Sequence, residues 1–523
     1  MQNRSNFPIT ITVNPEAQQT FRSYGFYVSH GGAFYRQLKQ ETKDKMAKYL
    51  FEDLKCKVVN CNFIIMPGWG NHQDRVSLDV DNVEALDHAI QVAFVDELGI
   101  GSGCPFDYAE QYGCEWAITI CGMDQNWIGH VESRKDYLNA NAATIEGIAG
   151  GTNFNWMVTQ GGDMLKYECI PDYIHRCAEL VKRMCLHWKF PIKSVACYDE
   201  PNFGMISPDQ KCMIDLGLRK ELDAAGLQHV KIRTGEIAGV NFSYTEEMME
   251  NKEAWEAVDY VCVHGFGCGD VDRAHADKAI ATGKEVWLNS TGVDLGITVK
   301  ELPRDENGVV YSDRYDSAIA NVGAFLCSIN LYMSYYGLWL GLDAAKSPDH
   351  GVWWKLFMYD PDESILGTDL VLAKDFDYLK CVMKAIEPGA VMRYCESSEE
   401  GDMTERYQVV NKVKNMMAAA AGVNEDGTWG IVLFNKTDTD VRRMQRKRID
   451  DDHKSYMMVL PDMYLDVDLD VKGLEGTGKK TFQVYKTDKA GNVCAEAGTI
   501  DLIDGKGTIT LNPLDLVALR EIQ

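Results

Sequence analysis

The stretch KSVACYDEPNFG, Lys193–Gly204, decides the fold class, because a short β-rich run ends there in two adjacent carboxylates and a proline. Ser194–Tyr198 has the composition of a short buried strand. It is one of eight such segments along the chain, and helical patterns lie between most of them. The eight strand candidates are Ser23–Val28, Lys57–Ile65, Glu115–Cys121, Ser194–Tyr198, Val230–Thr234, Tyr260–His264, Glu285–Asn289 and Tyr336–Leu340.

The alternation of strands and helices predicts an α/β fold, a (β/α)8 TIM barrel over residues 21–387. The clearest helical pattern runs from Pro171 to Trp188, where apolar residues recur every three or four positions. An open doubly wound sheet is the alternative. The first strand, however, continues as GFYVSHGGAF, which lacks the GxGxxG spacing of a phosphate-binding loop.

The sequence changes character after Pro388, where helical periodicity fades. Short strand-like runs such as YQVVNKV, GTWGIVLFNKTD and TFQVYKTDKAGNV are separated by turn residues. This pattern predicts a second domain, an antiparallel β-sandwich over residues 388–523. The N-terminal run ITITVNP, within residues 1–20, precedes the first barrel strand, and we expect it to join that sandwich. A chain of 523 residues is long enough for two domains.

Net charge and cysteine content limit the classes of molecule that we expect this protein to bind. The net charge of −25 disfavours nucleic acid and anionic membrane surfaces, whereas an uncharged carbohydrate remains compatible. The 16 cysteines are scattered and form no CxxC pair, which is typical of buried thiols in a reducing compartment and argues against structural zinc. The N-terminus has no apolar signal region, and no run approaches a membrane span. We therefore expect a cytoplasmic protein without cofactors.

Asp199 and Glu200 are the primary catalytic candidates. They follow the fourth strand, and active sites of such barrels lie at the carboxyl ends of the strands. Glycoside hydrolysis needs a carboxylic acid that protonates the leaving oxygen and a second group that stabilises the anomeric centre. The alternative is structural: Asp199 caps the following helix and Glu200 is a solvated loop charge.

Several segments resemble a known enzyme family. YDEPN resembles the Asn-Glu-Pro signature at the fourth strand of clan A glycoside hydrolases. DYLKCVMKAIEPGAVMRY, Asp377–Tyr394, is similar to the last helix of family 30, the glucosylceramidase and β-xylanase type, and its run into the side sandwich. GVNEDGTWGIVLFNKTD and LNPLDLVALREI are similar to sandwich strands of that family. The resemblance implies glycosidase activity, with Glu200 as acid/base.

The sequence departs from the family pattern at three positions. Asp199 stands where the family has an Asn that contacts the sugar 2-hydroxyl. Ser290, in EVWLNSTGVD, stands where the resemblance implies a Glu nucleophile, and Glu285 lies at the wrong end of that strand. The family's Arg on the second strand is replaced by Asn60 or Asn62.

Three hypotheses follow. The preferred one is a retaining β-N-acetylhexosaminidase with substrate-assisted catalysis, in which the 2-acetamido group attacks, Asp199 orients it and Glu200 is the acid/base. An adjacent Asp-Glu pair at a strand end resembles that of β-N-acetylhexosaminidases, and the hypothesis accounts for both Asp199 and Ser290. The second is a conventional retaining β-glycosidase (glucosidase, xylosidase or galactosidase type) whose nucleophile is Glu236 or Asp294. The third is a carbohydrate-binding protein without activity.

Aromatic and polar residues near strand ends are candidates for sugar binding, although core packing is the alternative for each Trp. A metal site is not expected, because His30, His264 and Asp199 lack HxH or HExxH spacing. Sugar identity, exo or endo cleavage and oligomeric state remain open. The predicted substrate-binding residues are His30, Trp69, Trp127, Tyr244, His264, Trp287, Ser290 and Trp339.

Overall fold

The structure of the chain is a computed structural model. The structure describes residues 6–28, 38–64, 80–121, 165, 167–203, 206–240, 242–265, 273–292, 315, 318–338, 340–344, 355–359, 371–399, 415–442 and 460–523.

Eight parallel strands close into a barrel, in which the last strand pairs with the first. Register pairs such as Val58 with Glu115 and Tyr260 with Glu285 place the carboxyl ends of the strands at one rim. The predicted barrel is confirmed in its order and in all eight strands. Its strands are β2 (Ser23–Tyr27), β3 (Val58–Ile64), β4 (Glu115–Cys121), β5 (Ile192–Cys197), β6 (Lys231–Arg233), β7 (Tyr260–His264), β8 (Glu285–Thr291) and β9 (Tyr335–Leu338).

Helices follow the barrel strands and cover them. Three of them continue directly into a π-helical turn, at Lys48–Asp53, Gln91–Glu97 and Arg183–His187, and α9 is preceded by one at Ala318–Val322. The α-helices are α1 (Gln40–Ala47), α2 (Val83–Ile90), α3 (Pro105–Ala109), α4 (Ile170–Lys182), α5 (Pro208–Ala224), α6 (Ser243–Met249), α7 (Lys252–Ala257), α8 (Arg273–Ala281), α9 (Gly323–Asn330) and α10 (Lys374–Ala385).

Local sequence explains where the helices beside the fourth strand begin. Pro171 lies in the first turn of α4, where its missing N–H costs no hydrogen bond. Ser207 and Gln210 form a capping box at the start of α5, and Pro208 follows directly. In the chain these two helices precede and follow β5, which ends just before the acidic doublet.

Aromatic rings pack beside the guanidinium of Arg22 at the N-terminal end of the barrel. Trp287 is fully buried and stacks on Tyr260, with ring centroids 4.7 Å apart. Arg22 lies over both rings and forms ion pairs with Glu115 and Glu285. This cluster, the plug, lies at the end of the barrel opposite the carboxyl rim.

The second unit is a ring of nine strands that closes on itself. The sequence predicted two separate sheets in a sandwich, and that finer arrangement is not confirmed. β1 closes the ring, since it pairs antiparallel with β13 and parallel with β16. The strands are β1 (Phe7–Thr20), β13 (Val391–Ser397), β14 (Met417–Val423), β15 (Trp429–Asn435), β16 (Leu465–Val471), β17 (Lys479–Thr487), β18 (Ala495–Ile503), β19 (Lys506–Leu511) and β20 (Leu516–Glu521).

A small mixed sheet was not predicted. It comprises β10 (Leu340–Ala344), β11 (Lys355–Tyr359) and β12 (Val371–Leu372), and it follows the last barrel strand. Among the residues placed by the structure, no helix combines the length and apolar character needed to cross a bilayer.

Candidate active site

Asp199 and Glu200 leave the fourth barrel strand in a constrained backbone. Tyr198 and Glu200 have φ angles of 130° and 50°, in the region that L-residues rarely adopt. The Glu200 N–H donates to the Glu236 carbonyl at 2.7 Å, and the Glu236 N–H donates to the Tyr198 carbonyl at 3.3 Å. Pairing between the fourth and fifth strands therefore continues past their formal ends and fixes both carboxylates at the carboxyl rim. Strained non-glycine backbone of this kind concentrates at functional sites.

The two members of the acidic doublet are both partly exposed. The Asp199 side chain retains 25% exposure and that of Glu200 22%, so each combines a solvent-facing carboxylate with buried contacts. The position at the rim of a barrel, rather than at a distant surface, agrees with a catalytic role for the pair.

His264 connects the doublet to a third carboxylate. It ends β7, and its side chain is almost fully buried. Nδ1 lies 2.8 Å from Glu200 Oε1, Nε2 lies 3.0 Å from Glu236 Oε2, and Nε2 lies 3.6 Å from Asp199 Oδ1. Both ring nitrogens thus face carboxylate oxygens. Burial lowers the pKa of His264, but the hydrogen bonds to Glu200 and Glu236 and the nearby Asp199 charge outweigh it, so the pKa is raised well above 6.5.

Glu236 is the buried anion of the site. Its side chain has no exposed surface, and five side chains donate hydrogen bonds to it. Oε2 accepts from Tyr27 at 2.5 Å and from His264 at 3.0 Å; Oε1 accepts from Arg233 at 2.9 Å and also from Thr119 and Asn289. Burial raises the pKa of Glu236, but the His264 hydrogen bond and the Arg233 charge dominate and lower it to about 2. Glu236 is therefore ionised with every lone pair used.

His264 was identified from the sequence, whereas the other four groups that hold Glu236 were not. Each lies near the carboxyl end of a different barrel strand, a placement that could have drawn attention to them. Asn289 Nδ2 also donates to the Tyr27 hydroxyl at 2.6 Å, and Arg233 donates to Thr119 at 3.1 Å. Their contribution depends on convergence across strands β2, β4, β6 and β8, which no local pattern reveals.

The four predicted binding residues that the structure describes lie in three places. His264 and Ser290 pair in register on neighbouring strands, and Ser290 is fully buried. Trp287 lies instead in the plug at the opposite end, where Nε1 donates to Glu285. Tyr244 is buried in α6 and donates its hydroxyl to the Ile206 carbonyl at 2.8 Å, so it is not oriented as an acetamido donor. Outside the described residues lie His30, Trp69, Trp127, Asp294 and Trp339.

Of the two alternative nucleophiles, Glu236 and Asp294, the structure describes Glu236, and this carboxylate is not available to a sugar. Glu236 has no exposed surface and no unused lone pair. Glu285 forms an ion pair with Arg22 at the N-terminal end of the barrel. The strand-seven position holds Ser290, whose hydroxyl cannot replace a carboxylate without a base to activate it.

Three ligand-type atoms of Asp199, Glu236 and His264 lie within 4.8 Å of one another, a spacing that suits a metal ion. The donor set fits a metal poorly, because both Glu236 oxygens already accept from cationic or neutral donors. Arg233 and His264 supply two positive charges at the same place, and a metal cation would be repelled by both.

No family model matches this chain, and no curated protein matches it. Solved structures do match over nearly the full length. The catalytic domain of GH30 xylanase C from Talaromyces cellulolyticus has a TM-score of 0.61 at 13% identity, covering 98% of this chain and 100% of that one. SrfJ from Salmonella typhimurium has a TM-score of 0.61 at 12% identity, covering 100% and 94%. The endo-β1,6-glucanase BT3312 has a TM-score of 0.59 at 12% identity, covering 100% and 96%.

These likenesses show that the chain shares its fold with GH30-type glycoside hydrolases over nearly the full length of both chains. The clan-level resemblance drawn from YDEPN is confirmed at the level of fold. The hexosaminidase-type pair is not addressed by these neighbours.

Proposed function

We propose that this protein is a retaining β-glycoside hydrolase that acts on 2-acetamido sugars, with Glu200 as general acid/base and Asp199 orienting the acetamido group. The fold supports the assignment as a glycoside hydrolase, since enzymes described as a xylanase and a glucanase share this fold over almost their whole length. The partly exposed carboxylates at the rim support the assignment of roles to Asp199 and Glu200.

The observation that most supports substrate-assisted catalysis is that Glu236 is inaccessible to a sugar. A double-displacement enzyme needs a second carboxylate about 5 Å from the acid/base, with the anomeric carbon between the two. Glu236 faces the same histidine as Glu200, but the imidazole ring stands between the two carboxylates. Ser290 occupies the strand-seven position. Within the described part of the chain, no exposed carboxylate stands opposite Glu200, which favours a nucleophile supplied by the substrate.

Asp199 fits the second requirement of substrate assistance. The acetamido oxygen attacks the anomeric carbon and forms an oxazolinium ring that carries positive charge. A carboxylate that accepts the acetamido N–H orients the group and stabilises this charge, more strongly in a dry site than in water. Asp199 lies beside Glu200 on the same strand end, so both groups can face one sugar.

A conventional β-glycosidase is the second candidate. The neighbours described as a xylanase and a glucanase favour plain sugars, and Asp294 is the carboxylate that would then serve as nucleophile. In that case the 2-acetamido group is not required for turnover.

The test is a panel of 4-nitrophenyl β-glycosides with and without the 2-acetamido group: N-acetylglucosaminide, N-acetylgalactosaminide, glucoside, galactoside and xyloside. We expect hydrolysis of the acetamido members alone. Turnover of plain glycosides at equal rates would favour the second candidate. Absence of turnover, with sugar binding retained, would contradict both. The control variant Glu253→Gln changes an exposed carboxylate on α7 and is expected to behave as wild type.

A further inference from the structure

We infer that His264 is the proton reservoir of Glu200, and that Glu236 is the positioning residue that keeps His264 cationic. The inference rests on the proposed function and adds two groups to its acid/base chemistry. It follows from the order Glu236, His264, Glu200, in which one ring nitrogen contacts each carboxylate at 3.0 and 2.8 Å.

The charge on His264 follows from what faces it. From the end of β5 it meets Glu200 and Asp199, and from the segment after β6 it meets Glu236. Arg233 lies behind Glu236 and competes for Oε1, whereas His264 contacts Oε2 together with Tyr27. Two carboxylates each accept from one ring N–H, so the imidazolium satisfies both and neutral imidazole satisfies only one.

The reservoir supplies the proton that the proposed mechanism needs. A general acid must release a proton to the leaving oxygen, and Glu200 Oε1 lies 2.8 Å from His264 Nδ1. The pair Glu200–His264 contains one transferable proton, on Nδ1, as long as the histidine stays charged. The acid of this site is then the pair rather than the isolated carboxyl group.

One proton moves between His264, Glu200 and the substrate in two steps. In the first step the Nδ1–H bond breaks as an O–H bond forms on Glu200 Oε1, and the carboxyl group turns to pass this proton to the leaving oxygen as the glycosidic bond breaks. His264 is left neutral, with its remaining proton on Nε2 and donated to Glu236. In the second step the water oxygen bonds to the anomeric carbon as the bond between that carbon and the acetamido oxygen breaks. The Glu200 carboxylate takes the proton that the water releases and returns it to Nδ1. No other reactant is consumed.

The first test does not depend on turnover. The full chain, labelled with ¹⁵N-histidine, is titrated by NMR, and His264 is assigned by its absence in His264→Gln. We expect both ring nitrogens of His264 to stay protonated beyond the ordinary histidine range. In Glu236→Gln the titration midpoint is expected to fall by about 1–3 pH units. A His264 that is neutral at pH 6 in the wild type, or an unchanged midpoint in a folded Glu236→Gln, would overturn the inference.

The second test separates proton supply from structural support. A 2,4-dinitrophenyl leaving group departs without protonation, whereas an alkyl leaving group needs the acid. His264→Gln is expected to lower kcat/KM, which reports the first step, by roughly 10²–10⁴-fold for the alkyl glycoside and far less for the dinitrophenyl glycoside. Equal losses on both substrates would show a structural role and contradict the reservoir.

His175→Gln is the matched control, because His175 pairs with Asp81 at 2.8 Å on the protein surface. It should leave kcat, the leaving-group dependence and the His264 titration unchanged. If the wild type hydrolyses no glycoside, the proposed function fails, and the NMR titration still decides the charge of His264 on its own.

Discussion

The main-chain N–H of Glu200 donates to the carbonyl of Glu236 at 2.7 Å, while their side chains lie on opposite edges of one imidazole ring. One carboxylate is partly exposed and the other is sealed. Two acids that are adjacent through the backbone therefore have different environments, and environment decides which one reacts and which one holds charge.

Glu200→Gln is expected to lower kcat/KM for substrates with poor leaving groups by about 10²–10⁴-fold, because the acid is lost. In Glu200→Ala, azide should restore turnover of the dinitrophenyl substrate and yield a β-glycosyl azide, since a small anion can enter the space left by the side chain. Glu253→Gln is the surface control. A Glu200→Gln variant with wild-type kinetics would remove Glu200 from the reaction.

Asp199→Asn distinguishes the two candidate functions. The substitution restores the residue that family 30 enzymes carry there. If Asp199 stabilises an oxazolinium charge, hydrolysis of acetamido substrates should fall by about 10²–10³-fold, comparable with loss of one stabilising group at developing charge. In a conventional glycosidase, the same substitution should leave hydrolysis of plain sugars unchanged or increase it. Steady-state kinetics on paired substrates measure this.

Glu236 should contribute to stability above acidic pH. Its pKa is lowered from 4.5 to about 2 on folding, so the contribution is present above 4.5 and is lost as the pH falls toward 2. We expect denaturant unfolding of the wild type to weaken across this window. Glu236→Ala, which leaves Arg233 uncompensated, should cost about 3–5 kcal/mol at pH 7. A pH-independent free energy of unfolding would contradict the assignment.

The contribution of His264 to stability depends on pH in the opposite direction from that of Glu236. Its folded-state pKa is raised above 6.5, so its stabilising contribution is complete below that value and is lost as the pH rises through the folded pKa. The wild type should therefore lose stability on the alkaline side, and His264→Gln should lack that component. Urea unfolding from pH 6 to 10 tests this, with His175→Gln as control.

Arg22 should affect stability without affecting the site. It bridges Glu115 and Glu285 and lies over Tyr260 and Trp287 in the plug at the opposite end of the barrel. Arg22→Met is expected to cost about 1–3 kcal/mol, because two carboxylates lose a charged hydrogen-bond donor. KM and the pH dependence of kcat should not change. A shifted pH profile would indicate coupling between the two ends.

The spacing of apolar residues was sufficient to predict the barrel. Buried parallel strands are short apolar runs, and the helices between them carry apolar residues along one face. Ser194–Tyr198 and Pro171–Trp188 both fell where the structure has β5 and α4 with its π-helical turn. The closure of the second unit depends on the parallel pairing of β1 with β16, between residues more than 450 positions apart. No local pattern specifies such a pair.

The candidate site was predicted only in part, because contacts between distant parts of the chain have no local sequence pattern. Asp199, Glu200 and His264 stand directly at strand ends, so position alone identified them. Glu236 was considered only as a nucleophile, because sequence shows a carboxyl group but not its burial. The prediction of Trp287 as a sugar-binding residue did not use chain direction, which places it two residues after Glu285 in the amino-terminal half of β8.

The most direct measurement of the central claim is the rate of hydrolysis of 4-nitrophenyl N-acetyl-β-glucosaminides whose acetyl group carries zero, one, two or three fluorines. If the substrate's own carbonyl oxygen attacks, each fluorine withdraws electron density from the nucleophile, and log(kcat/KM) should fall steeply and steadily across the series. A rate that is independent of fluorination would show that an enzyme group attacks instead, and would contradict substrate-assisted catalysis at Asp199 and Glu200.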